Sequence, residues 1–252
     1  MTTALQHLSV QVVVVIVLAF AFAGIVKGTI GAGLPATSVP ILVMVLEPSF
    51  AVALTLVPVA FVNIWQALQG TRYREAFREF WSYLLTLAVG AWFGAKVLVS
   101  ANPKLVAFWL GIIVVSSTAL QALAPRGQLS PKRLALLNPF AGGGMGLIGG
   151  STGIFVPSII YFAVLRLQKD LFISLMALVA LIGMAPLYAG LVFGGILDWN
   201  MLYASILMVA PAAMGYLIGT NIRHRLADRT FRLIVWIVLT ALGLNLIRLG
   251  LL

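Results

Sequence analysis

Residues 28–40 read GTIGAGLPATSVP. The stretch interrupts a long run of Val, Ile, Leu, Ala and Phe with three glycines, two prolines and three hydroxyls. Glycine frees the backbone to turn, and proline withholds the N–H that a regular helix would use. A helix whose only task is to cross a bilayer gains nothing from either. The break is therefore read as a working element.

The surrounding chain sets the class. It has 252 residues, 62% hydrophobic and 9% charged, with a mean hydropathy of +1.11. A soluble domain carries about 25% charged residues. The apolar stretches are too long and too uniform for the alternating strands of a barrel, which leaves an all-α polytopic membrane protein. The absence of cysteine excludes disulfides, thiolate metal sites and cysteine nucleophiles. In a soluble protein the net charge of +10 would suggest nucleic acid. Here it reads as basic loops held on the cytoplasmic side, with the lipid bilayer and not nucleic acid as the partner. Leu8–Val26 is preceded by no Lys or Arg, so a retained membrane helix is expected there and not a cleaved signal.

Apolar segments fall near 8–26, 36–46, 51–69, 80–99, 104–124, 134–148, 154–165, 171–194, 200–220 and 231–251. The second, sixth and seventh are short of the ~20 residues that a span needs. Each adjoins a glycine break, at 28–33 or at 142–153 (GGGMGLIGGSTG). Gly28-x-x-Gly31 recurs as Gly146-x-x-Gly149, and Val39-Pro40 recurs as Val156-Pro157. Gly70, Gly90 and Gly94 recur at a constant offset as Gly195, Gly215 and Gly219. Both Gly-x-x-x-Gly pairs are faces that admit close helix packing. The chain thus divides into two transmembrane repeats of about five hydrophobic segments, 1–125 and 126–252, joined by the polar loop APRGQLSPKR.

Loop charge tests the topology. If the segments alternate across the bilayer, Lys104 and Arg248 fall on one side and every other loop Lys or Arg falls on the opposite one. The crowded side is then cytoplasmic, and both termini face outward, to the periplasm in a bacterial inner membrane. Re-entrant hairpins at the short pairs keep the same parity. Both arrangements put an odd number of crossings in each repeat, so the repeats must be inverted. Inverted repeats with broken helices are a signature of secondary transporters.

A helix that begins at a break presents N–H groups without intrahelical partners, together with partial positive charge. Aimed into a cavity, they bind an anion. The candidate substrate-binding residues are Lys27, Gly28, Thr29, Gly31, Gly33, Thr37 and Ser38 at the first break. Gly149, Gly150, Ser151, Thr152 and Gly153 are the candidates at the second, with Asn63 and Gln66 on segment three. Lys27 either faces the substrate or sits at the cytoplasmic end of the first helix, and the repeat places Met145 at its counterpart. Lys96 reads as a snorkelling interface residue. No Asp or Glu lies in the middle of a segment, so no carboxylate proton relay is visible.

Gly149–Gly153 fits G-x-S-x-G, but the only histidines are His7 and His224, and the strand–turn–helix context of a hydrolase is missing. Catalysis is not expected. Neither HExxH nor a Walker-type loop occurs, so no metal, cofactor or ATP-driven step is expected.

The paired glycine breaks with their Val-Pro steps, the similar halves and the Gly-x-x-x-Gly segments resemble the sulfite exporter TauE/SafE family of permeases, also called the 4-toluene sulfonate uptake permease family. The resemblance runs from about Gly24 to Ile247. The family's denser G-x-G-G-G run stands here as Gly31-Ala32-Gly33-Leu34-Pro35 and Gly149-Gly150-Ser151-Thr152-Gly153. The resemblance implies transport of a small anion, sulfite or an organosulfonate. Rocking of the two halves about a midplane site is the expected mechanism, with a passive anion channel of the same architecture as the alternative.

Overall fold

A computed structural model describes residues 9–30, 33–69, 72–123, 131–165, 167–223 and 228–251. Every regular element among them is an α-helix. In chain order they are α1 (Val10–Ile30), α2 (Leu34–Leu42), α3 (Pro48–Leu54), α4 (Leu56–Gln69), α5 (Tyr73–Ser100) and α6 (Pro103–Leu123). These are followed by α7 (Pro131–Thr152), α8 (Val156–Val164), α9 (Lys169–Phe193), α10 (Trp199–Leu207), α11 (Val209–Arg223) and α12 (Asp228–Leu251). Pro48, Pro103 and Pro131 each open a helix, where a missing N–H costs nothing. Asp198 caps α10 by accepting from the Met201 N–H at 2.8 Å, which gives one loop carboxylate a purely local role.

Among the described residues, five stretches are long and apolar enough to cross a membrane: Val10–Thr29, Pro48–Gln66, Tyr73–Ser100, Asp170–Phe193 and Trp199–Ile222. On α5, Phe77, Trp81, Leu85, Val89, Phe93 and Val97 recur every four residues and lie exposed. Phe80, Tyr83, Leu84, Leu87, Ala91 and Ala95 are buried behind them. An exposed stripe that is as apolar as the buried one is the mark of a helix solvated by lipid. The protein is a multi-pass helical membrane protein. Lys96 is exposed, with its ammonium 5.8 Å from the Trp92 ring centroid and 5.6 Å from that of Phe93, as an interfacial cation would be.

The helices of the two halves exchange partners. α1 packs on α11, and α7 packs on α5. In the first pair a Cβ on Gly24 or Gly28 would strike the carbonyl oxygen of Ala212 or Tyr216, and one on Gly215 or Gly219 would strike that of Ala21 or Ile25. In the second pair, Gly90 and Gly94 meet the carbonyls of Gly143 and Leu147, while Gly142, Gly146 and Gly150 meet those of Tyr83, Leu87 and Ala91. Only glycine on both faces lets the backbones come this close. The two Gly-x-x-x-Gly faces read from the sequence thus each find a glycine face on the opposite half.

This packing corrects the reading of the breaks. Lys27, Gly28 and Thr29 belong to α1, which runs on to Ile30, and the whole of GGGMGLIGG lies inside α7. Of these glycines, Gly28, Gly142, Gly146 and Gly150 serve helix contact, and none of them reverses the chain. The helices reach further into the breaks than expected, and among the described residues each break holds one left-handed glycine, Gly33 (φ +100°) and Gly153 (φ +73°). The equivalence of Val39-Pro40 with Val156-Pro157 also changes. Pro40 lies inside α2, whereas Pro157 is the second residue of α8, and the proline in that position of α2 is Pro35. The expected segments 51–69 and 200–220 are each two helices, split at Thr55 and Met208.

Candidate functional site

α2 and α8 have nine residues each, about 14 Å at ~1.5 Å per residue, too short to cross the ~30 Å hydrocarbon core. Their starting ends face one cleft of about 450 Å³, including its open mouth. Gly33, Leu34, Pro35 and Ala36 line it from the first break, and Phe155 and Ile159 from the second. Lys27 and Asn63 supply its polar side chains, while Met176, Val179, Ala180 and Met184 of α9 close it with an apolar wall.

Lys27 is 3% exposed and Asn63 2%. The Lys27 ammonium donates to Asn63 Oδ1 at 2.9 Å. The Asn63 amide nitrogen in turn donates to the Val59 carbonyl at 2.8 Å, one helical turn back. That second bond fixes the amide so that its oxygen faces the lysine. Among the described residues the one ion pair is Arg72–Glu75, so no carboxylate neutralises Lys27. A buried ammonium without an anion is costly, and the cleft beside it is where an anion would offset that cost. The N–H groups at the start of α2 add partial positive charge to the same space.

The remaining candidates separate into two groups. Gly33 lines the cleft. Gly153 makes the second turn but packs on Val52. Thr29 donates to the Ile25 carbonyl at 2.7 Å and the Gly219 carbonyl at 3.1 Å, which ties α1 to α11 beside Gly28. Ser38 donates to the Leu34 carbonyl within α2, and Thr37 is buried with its hydroxyl unpartnered, away from the cleft lining. Gln66 is buried on α4, and its main-chain carbonyl accepts from the Tyr73 hydroxyl at 3.3 Å. Ser151 and Thr152 close α7 and do not open α8. Both hydroxyls donate to the Ile148 carbonyl, at 3.0 and 2.7 Å. Gly149 gives room to the Phe155 ring, and Gly150 approaches Ala91. Gly31, His7 and His224 lie outside the described residues.

Sequence reasoning missed the apolar wall. Met176, Val179, Ala180 and Met184 carry no signal in a chain where apolar residues are the rule. It also missed Ser205, whose hydroxyl donates to the Leu54 carbonyl at 2.8 Å and accepts from the Val57 N–H at 3.0 Å. A signal for that role exists. Pro58 lacks the N–H that would bond Leu54 in a continuous helix, so a substitute donor is required.

No curated protein and no solved structure matches the chain. A family model, that of the sulfite exporter TauE/SafE proteins, matches residues 16–246. The chain belongs to this family of membrane transporters.

Proposed function

We propose that the chain is a secondary transporter that carries a small organic anion through the cleft between its two helix breaks. The observation that carries this reading is Lys27, a buried cation that lines an open cleft with a neutral amide and no carboxylate beside it. The anion is held by the Lys27 ammonium, the Asn63 amide and the α2 start at Gly33–Ala36. Opposite them stand Phe155, Ile159, Met176 and Met184, which would desolvate an apolar substituent and offer nothing to a fully hydrated ion. Among sulfur anions this favours an organosulfonate over sulfite.

The two halves, 1–125 and 126–252, act as inverted repeats that rock about this cleft. The exchange of partners between α1–α11 and α5–α7 and the left-handed glycine at each break, Gly33 and Gly153, support that symmetry. The arginine-rich loops lie in the cytoplasm and the termini outside, as the loop charge indicates. Catalysis finds no support at Ser151, whose hydroxyl is committed to its own helix.

Uptake of radiolabelled sulfite, methanesulfonate and benzenesulfonate into proteoliposomes tests the proposal. Saturable flux with uphill counterflow is the expected result. Flux without counterflow would make the chain a channel, and no flux above empty liposomes would overturn anion transport for these compounds.

A further inference from the structure

We propose that Ser205, on α10 of the second half, is a positioning residue for the anion site on the first half. The inference rests on the anion-site reading above and adds the part that sets its geometry.

The α3–α4 rod, one stretch from Pro48 to Gln66, is interrupted at Thr55. Pro58 provides no N–H, so the Leu54 carbonyl loses its helical donor, and the Val57 N–H is also freed. The Ser205 hydroxyl serves both, donating to Leu54 and accepting from Val57. Ser205 is fully buried, so water cannot take its place. The Thr55 hydroxyl, bonded to the Val52 carbonyl at 2.7 Å, also meets the Tyr188 hydroxyl of α9 at 3.0 Å. Two helices of the second half therefore hold the junction from which α4 departs.

Asn63 lies eight residues beyond Thr55, about 12 Å along the axis. A tilt of roughly 10° at the junction displaces it by about 2 Å at that lever arm. The Lys27–Asn63 bond is 2.9 Å long and does not survive such a shift. The serine therefore sets whether the ammonium is held toward the cleft. It does so across the boundary between the halves, where motion of one against the other would release it.

The test uses the cysteine-free chain with Ala36→Cys, a cleft-lining position, in liposomes. The rate of modification by anionic 2-sulfonatoethyl methanethiosulfonate is divided by that for the cationic trimethylammonium analogue. This ratio reads the field at the site and needs no transport. The parent is expected to favour the anionic reagent. Ser205→Ala should lower the ratio about tenfold, Asn63→Ala should lower it similarly, and the two together should do no more. Distant residues with independent effects would add instead. Pro58→Ala, which returns the helical donor to Leu54, is the second variant and should shift the ratio in the same sense even if Ser205→Ala does not fold. A parent preference left unchanged by every variant that elutes as a folded species, or additive effects of Ser205 and Asn63, overturns this inference alone. A parent with no preference overturns the anion site and the inference with it.

Discussion

The Lys27 ammonium and the Asn63 amide oxygen are 2.9 Å apart, and both side chains are buried in the wall of the cleft. They come from α1 and α4, and the bond aims the one cation of the cleft lining.

Lys27→Met should raise the KM for the transported anion about 10- to 100-fold, since a hydrogen bond to a charged group contributes about 1.5–3 kcal/mol. The same change removes an uncompensated buried charge, so thermal stability in detergent should hold or rise. Flux assays and a melting curve on one preparation check both. Loss of both together would make Lys27 a structural residue.

The apolar wall should discriminate by substituent. Met184→Ala should weaken benzenesulfonate relative to methanesulfonate, by about 0.8 kcal/mol for each methylene of lost contact. Competition for uptake measures this. Equal losses for both anions would remove Met184 from the substituent's path.

Glycine positions on α7 should divide by what lies above them. Gly146→Ala pushes a methyl into the Leu87 carbonyl and should cost about 1–3 kcal/mol, or more where the backbone cannot yield. A methyl on Gly144 would meet nothing within 4 Å, so Gly144→Ala should gain about 0.5–1 kcal/mol of helix propensity. Thermal melts of the two variants give opposite shifts if α5 and α7 pack as described.

The left-handed glycines should also differ. Among the described residues Gly33→Ala meets only the Val26 side chain, at 3.8 Å, and bears backbone strain of about 1–2 kcal/mol. Gly153→Ala bears similar strain and also collides with Val52 Cγ2 at 2.6 Å. The second variant should melt lower. The reverse order would mean that the second turn is the more adaptable.

Composition and local pattern were enough for the class, the approximate helices, the Gly-x-x-x-Gly faces and the candidacy of Lys27 and Asn63. A bilayer admits only long apolar helices, and a lysine or asparagine in such a run is visible at once. The same pattern misplaced the breaks, because glycine signals both chain reversal and close packing. Gly142, Gly146 and Gly150 remain helical with α5 against them, whereas Gly33 stands immediately before α2 and Gly153 immediately after α7, and both take the left-handed turn. Only the structure settled that Ser151 and Thr152 turn their hydroxyls back into their own helix, that α9 supplies the apolar wall and that Ser205 mends the α3–α4 junction. Each depends on a partner far away in the chain or on the direction of a side chain around its helix, and no local pattern in an almost uniformly apolar chain records either.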